Sequence, residues 1–332
     1  MFNLIETLPK KYWNGYRLVA GDGTTVNLPI HKSTIKHFGL FRNSKKGGKT
    51  VHANAAMLYD VLTHYALASK IAPFKSGEKM IMSSLIKETK LSKTIMILDR
   101  GFCSFSFFKE LINKDLDYCI RVTTSQSKFA NKVIENKSDD FIIDWIPSEA
   151  ERGTCKRKGV DTIPIKVRAT KIILPSGEVE VLISSLLDLK KITKSDISEL
   201  YQLRWGIEEG YKKLKPKMKL EQFGCKKQEG IYQEFYSHIF MMNLTQILCN
   251  EAQKKIDIKT KNRKYKYKYN WINAYKYTNE SFVELFKNVD IELVIKKILK
   301  QIEQSIIAIV PERSFRRTTG GIRKHRYNPM YK

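Results

Sequence analysis

The chain alternates between stretches in which apolar residues recur every second position and stretches in which they recur every third or fourth. Arg17–Ala20 (RLVA) reads as a strand and runs into Gly21-Asp22-Gly23-Thr24-Thr25. Val26 to Lys49 carries no sustained period and reads mostly as loop. Val51–Leu58 and Val61–Ala68 are apolar runs about Tyr59-Asp60, the pattern of a β-hairpin. Lys79–Lys87 predicts a helix. Thr94–Leu98 (TIMIL) is a continuous apolar run, as in a strand buried on both faces, and it ends at Asp99. A helix over Ser104–Asn113, with Phe107, Phe108 and Leu111 inward, and a strand over Asp117–Thr123 follow.

Between Ser125 and Lys191 short β-type runs (Phe141–Ile146, Thr162–Ala169, Lys171–Leu174, Val179–Ser184) are broken by prolines and glycines, which predicts a mostly antiparallel β insertion. A helix capped by Thr193 or Ser195 then runs to Pro216. Ile231–Cys249 predicts a second long helix with Ile231, Phe235, Ile239 and Met242 on one side, where Asn243 and His238 read as satisfied core polars. Ile291–Ile309 predicts a third, through Ile291, Val294, Ile298, Ile302, Ile306 and Ile309.

Composition narrows the function classes. The 332 residues hold 60 Lys and Arg against 34 acids, a net charge of +26, which points to a polyanionic partner, nucleic acid first. Much of the excess sits in Lys254–Lys268, eight bases and one acid interleaved with Tyr265 and Tyr267, and in the tail after Pro311. No apolar run reaches the ~18 residues of a membrane span, and the first residues lack the apolar core of a signal peptide. The five cysteines are scattered with no CxxC pair, which fits a reducing cytosol rather than a disulfide framework or zinc site. Lys45-Lys46-Gly47-Gly48-Lys49 is basic but is not a phosphate-binding P-loop.

The candidate chemistry lies in YQLRWGIEEGYKKLK, Tyr201 to Lys215. Tyr201, Arg204, Glu208 and Lys215 are spaced by three, four and seven residues and fall on one helical stripe beside an apolar face of Leu200, Leu203, Ile207, Tyr211 and Leu214. A carboxylate among cations suits an acid that holds a metal next to a phosphate; an ordinary i,i+4 surface pair worth a few tenths of a kcal/mol is the plain alternative. Gly206 and Gly210 weaken the helix and mark places where something approaches closely. Asp22 is either an acid held at a sheet or part of a Gly-Asp-Gly turn. Asp99 stands at the C-terminal end of a buried strand, where open α/β sheets place their chemistry.

GDGTT at Asp22, ILDRGF at Asp99 and the spacing Tyr201, Arg204, Glu208, Lys215 together resemble the bacterial insertion-sequence transposases of the DDE type, in the insertion-sequence-four branch with its YREK signature. The resemblance runs from about Tyr16 to the helix with Asn243-Leu244. It implies an α/β, ribonuclease-H-like mixed sheet with flanking helices, interrupted by the β insertion and followed by C-terminal helices. The expected organisation is residues 1–124 and 193–250 as the two parts of the catalytic domain, 125–192 as the insertion, 251–310 as a basic segment with a C-terminal helix, and 311–332 as a basic tail. The implied catalytic and metal-binding acids are Asp22, Asp99 and Glu208, holding two Mg²⁺ ions for which Mn²⁺ substitutes, with Asp22 bridging both. Tyr201, Arg204 and Lys215 are implied DNA-backbone contacts, with Lys212 and Arg100 as neighbouring cations. The implied partners are double-stranded element ends and target DNA, with a homodimer on paired ends, in the bacterial cytoplasm at the nucleoid.

Two departures from the family pattern bear on activity. Only 21 residues precede Asp22, where relatives carry a helical DNA-binding domain, so a truncated product is one expectation. Relatives that pass through a DNA hairpin place an aromatic late in the insertion; here the place reads Glu180-Val181, and Trp145 lies earlier. Two other readings remain open: a stand-alone ribonuclease-H-like nuclease and a catalytically silent DNA-binding remnant.

Overall fold

The computed structural model describes residues 7–42, 48–122, 128–174, 177–287 and 290–311; Lys45, Lys46 and the basic tail beyond Pro311 lie outside these. The chain divides into two compact units, one formed up to Val26 with His52–Tyr211, the other from Asn27–Val51 with the chain from Lys212 onward. In chain order the elements are β1 (Arg17–Leu28), α1 (Lys32–Phe38), β2 (Phe41–Arg42), β3 (Lys49–Asp60), β4 (Ala66–Pro73), α2 (Glu78–Glu88), β5 (Thr94–Leu98), α3 (Phe105–Ile112), β6 (Asp117–Val122) and α4 (Lys128–Glu135). They continue with β7 (Asp140–Trp145), α5 (Glu149–Lys158), β8 (Ile165–Ile173), β9 (Val179–Ser184), α6 (Lys194–Gln202), α7 (Gly206–Lys212), α8 (Gln228–Thr260), β10 (Lys266–Tyr269), α9 (Trp271–Glu280), α10 (Ile291–Gln304) and β11 (Ile306–Ile309).

In the first unit the strands follow the order β4-β3-β1-β5-β6-β9-β8-β7. β1, β5 and β6 are mutually parallel, and β4 pairs antiparallel with β3. Counted in sequence, β4-β3-β1-β5-β6 is the 3-2-1-4-5 order of a ribonuclease-H-like sheet. All five residues of β5 are buried, as a parallel strand covered on both faces requires. β9, β8 and β7 then extend the same sheet antiparallel beyond β6. The runs Thr162–Ala169 and Lys171–Leu174 are one continuous strand, β8. The segment also holds α4 and α5, which the β-type pattern did not foretell. Trp145 stacks on Phe129 at 4.3 Å between ring centres and meets Phe105 and Phe108 edge-on, so it belongs to the core of this extension.

Two details correct the sequence pattern. The hairpin turn occupies the residues after Asp60 rather than Tyr59-Asp60. The Asp60 carboxylate ends β3, accepts from the amides of Leu62 and Thr63 at 3.0 and 2.9 Å, and pairs with Arg17 at 2.8 Å, both side chains being buried. Gly21-Asp22-Gly23 is not a turn, because β1 runs straight through it. The glycines answer to crowding. A Cβ on Gly21 would stand 2.6 Å from Leu98 Cδ2 and 3.0 Å from Met82 Sδ, so α2 and β5 close onto β1 only because that position is bare.

The second unit is built on α8, 33 residues long, so Lys254–Thr260 of the basic stretch is helical rather than loop. The His238 ring nitrogens lie 2.7 and 3.1 Å from the carbonyls of Glu234 and Met218, a satisfied core polar as its sequence position implied. α10 buries Val294, Ile298 and Ile302 but stops at Gln304; Ile306–Ile309 leaves the helix to pair antiparallel with β10. Lys32–Phe38, read as loop, is helical, and His31 caps it by accepting from the Ser33 amide at 3.2 Å. Among the described residues no helix is long and apolar enough to cross a membrane.

Candidate active site

The parallel register of β1 and β5 ends with Gly21 opposite Leu98. Asp22 and Asp99 are the next residue of each strand, so one further step of the register sets the two acids side by side on backbones about 4.8 Å apart. Asp99 keeps extended backbone as it leaves β5 and opens the short turn Arg100–Phe102, on which Arg100 is exposed. The Gly23 amide donates to Asp22 Oδ1 at 2.8 Å. Burial pushes the Asp22 carboxyl up to about 6; the charges of Glu78 and Asp99 add to the rise, while the Gly23 amide and Arg204 oppose it.

Glu208 arrives from the far end of the unit, and the sheet extension determines where its helix starts. Arg168, fully buried on β8, forms a two-pronged pair with Asp140 on β7 at 2.8 and 2.5 Å. Its remaining nitrogen donates to the Ile192 carbonyl at 2.6 Å, immediately before the Thr193 cap of α6. Thr193 and Asp196 close a reciprocal capping box there. The signature segment is not one regular helix. α6 tightens into a 3₁₀ turn at Leu203–Trp205, resumes as α7 and widens into a π turn at Lys213–Lys217 that contains Pro216 rather than ending at it. Gly210 on α7 is buried against β3: a Cβ there would stand 3.1 Å from Met57 Cε and from Tyr59 Cε2. The close approach that the glycines announced is therefore the sheet itself. The Tyr211 hydroxyl donates to the Asp22 carbonyl at 2.8 Å and ties α7 to β1.

Arg204 donates to Glu208 Oε1 at 3.2 Å. Its guanidinium lies 4.6 Å from the Trp205 ring centre and 5.9 Å from that of Tyr201. Tyr201 and Arg204 are 5% and 7% exposed, whereas Trp205 is 58% exposed, so the tryptophan, read from sequence as packing, covers the arginine from the solvent side. The Tyr201 hydroxyl and Arg204 Nε are buried with no hydrogen-bond partner among the described residues. Glu180 on β9 is held above the usual carboxylate range by burial; Arg121 and Arg204 oppose the rise, and Asp99 contributes to it. Lys212 is exposed at the end of α7. Lys215 belongs to the second unit, where its ammonium lies 3.6 Å from Glu221, which also accepts two bonds from Asn27 at 3.0 and 3.1 Å.

The structure thus gathers Asp22 and Asp99 directly and links Glu208 to them through Arg204 and the Tyr211 bond. Among the described residues no three of His, Cys, Asp and Glu stand close enough to hold a metal ion as they are. The donors are all carboxylates, partly withdrawn from water and raised by one another's charge, and such a set fits a hard divalent cation. Sequence reasoning missed Glu78, whose carboxylate packs on Gly23. Its only signal was an acid at the first position of a helix, common for reasons unconnected with catalysis.

Residues 13–244 match the family model described as "Transposase DDE domain". The chain is 22% identical over 242 residues to transposase InsG for insertion sequence element IS4 from Escherichia coli (strain K12). That alignment covers 71% of this chain and 53% of InsG, so the chain spans about half the length of the relative it matches. A cryo-EM structure of the piggyBac transposase synaptic complex with hairpin DNA superposes with a TM-score of 0.48 at 12% identity, over 90% of this chain and 59% of that one. On the extent of the family match, this chain belongs to the transposase DDE domain family.

Proposed function

We propose that this chain is the catalytic part of a DNA transposase that hydrolyses a phosphodiester at an element end and joins the freed 3′-OH to target DNA. The observation that carries the reading is the register of β1 and β5, which makes Asp22 and Asp99 neighbours. The net charge of +26 supplies the attraction to a polyanion. Members of this family work with divalent metal ions. Here Asp22 would be shared between two Mg²⁺ ions, with Mn²⁺ as substitute, while Asp99 and Glu208 would each complete one. Such a pair, when bound, lowers the pKa of the attacking oxygen and neutralises the leaving one.

The side chains divide the work. Asp22 is fixed by its strand and by the Gly23 amide, so it is the least movable of the acids. Glu208 is held by Arg204 and released from it by side-chain rotation. Tyr201 and Trp205 bracket the guanidinium, so Tyr201 acts by seating Arg204 rather than by touching DNA itself. Arg204 then meets a backbone phosphate near the transferred strand, with Lys215, Lys212 and Arg100 as further phosphate contacts. Paired element ends call for two copies of the chain.

The test is cleavage of supercoiled DNA carrying the element's own ends, with Mg²⁺, Mn²⁺ or EDTA, by the unaltered chain and by Glu208→Ala. Nicking that needs a divalent ion, maps to the ends and disappears in Glu208→Ala is the expected result. Binding without cutting under any metal would instead make the chain a silent remnant, and cutting without end preference would make it a general nuclease.

A further inference from the structure

We propose that Glu78 is a further metal-ligating carboxylate of the centre built on Asp22 and Asp99; the assignment rests on reading those two acids as metal ligands. Glu78 is the first residue of α2 and the only acid in its first turn. An acid there is ordinarily explained by the favourable helix N-terminus. That explanation does not account for where the side chain goes.

The Glu78 carboxylate lies on β1. A Cβ built on Gly23 would stand 2.1 Å from Glu78 Oε1, 2.5 Å from its Cδ and 2.6 Å from its Cγ. Position 23 is therefore bare because Glu78 occupies the space that any other side chain would need. The Gly23 amide donates to Asp22 Oδ1 at 2.8 Å, so the Asp22 and Glu78 carboxylates flank one peptide unit. Asp99, adjacent to Asp22 in the strand register, is near enough for its charge to act on both. Three carboxylates from three different elements converge at one edge of the sheet, and Glu78 is exposed, which leaves a solvent route for an ion to enter. Hard oxygen donors in that arrangement suit Mg²⁺ or Mn²⁺. A second glycine requirement follows from this geometry: Gly21 admits α2 and β5, whereas Gly23 admits a ligand.

The experiment is Mn²⁺ binding to the whole chain, read from the electron paramagnetic resonance signal of free Mn²⁺, with Mg²⁺ as competitor. Glu78→Gln and Asp22→Asn should each weaken binding at least about tenfold, while Glu149→Gln, an exposed acid on α5, should leave it unchanged. Gly23→Ala, which evicts the Glu78 carboxylate without altering its charge, should reproduce Glu78→Gln and guards against a folding defect in either variant. Binding by Glu78→Gln as tight as that of the unaltered chain, with binding lost in Asp22→Asn, would remove Glu78 from the centre and leave the centre standing. Unchanged binding in both would overturn the metal reading of Asp22 and this assignment with it.

Discussion

The Tyr211 hydroxyl donates to the main-chain carbonyl of Asp22 at 2.8 Å, joining the helix that carries Glu208 to the strand that carries the first acid. Burial holds this phenol well above the usual tyrosine range, so it stays a donor at any working pH. Tyr211→Phe keeps the ring and removes only the bond. The expected cost is about 1 kcal/mol of stability, together with roughly a tenfold fall in nicking, because Glu208 loses its fixed distance from Asp22. Thermal melts and a nicking assay on the same preparation check it. Full activity with a lowered melting temperature would mean that the bond serves folding alone.

The two glycines of α7 should respond in opposite directions to alanine. At Gly210 the added methyl meets Met57 and Tyr59 at 3.1 Å, in a buried contact with little room to yield. The overpacking costs about 1–3 kcal/mol and exceeds the helix-propensity gain of up to ~1 kcal/mol. At Gly206 the nearest atoms are Val61 Cβ and Cγ1 at 3.4 Å, ordinary contact, and the backbone is already right-handed helical. Gly206→Ala should therefore raise the unfolding midpoint and Gly210→Ala lower it, measured by urea denaturation with an unchanged slope.

The parts of this molecule that were legible in the sequence are those where local pattern and tertiary role coincide. Thr94–Leu98 is apolar because it is buried on both faces, and its end at Asp99 is visible as the first charge. The Gly-Asp-Gly stretch was ambiguous because its glycines answer to Leu98, Met82 and Glu78, residues distant in sequence, and no local rule distinguishes that from a turn. α5 was missed for a different reason. Ser148 and Glu151 form a capping box and Gly159 closes the helix in left-handed conformation, all readable signals, but only Cys155 is buried, so the helix has no apolar stripe. The helix α10 was overextended through Ile306 and Ile309 because isoleucine satisfies either period, and pairing with β10 decided the outcome.

Asp60→Ala should be among the most damaging substitutions outside the site. It strips a buried Arg17 of its partner and leaves the amides of Leu62 and Thr63 without their acceptor. An unpaired buried charge costs about 3–5 kcal/mol. Removing both members, as Arg17→Met with Asp60→Asn, should cost less than Asp60→Ala alone, because no charge is then stranded and Asn still caps the turn. Chemical denaturation of the single and double variants decides this, and a double variant less stable than the single would contradict the account.

The raised Asp22 carboxyl gives a pH signature in metal-free protein. Its value of about 6 when folded, against an ordinary 3.8, means that the folded state favours the protonated form. That contribution to stability is fully present below about 3.8 and is lost as pH rises through about 6. At 1.4 kcal/mol per unit, the loss is at most about 3 kcal/mol and is reduced by whatever water reaches the group. Asp22→Asn is neutral at every pH, so in EDTA it should melt above the unaltered chain at pH 8 and level with it at pH 4. Mg²⁺ should narrow the gap at pH 8 by stabilising only the chain that retains the carboxylate. Melting curves that stay parallel from pH 4 to pH 8 would mean that the folded protein does not perturb Asp22, and the electrostatic case for a cation between Asp22 and Asp99 would lose its main support.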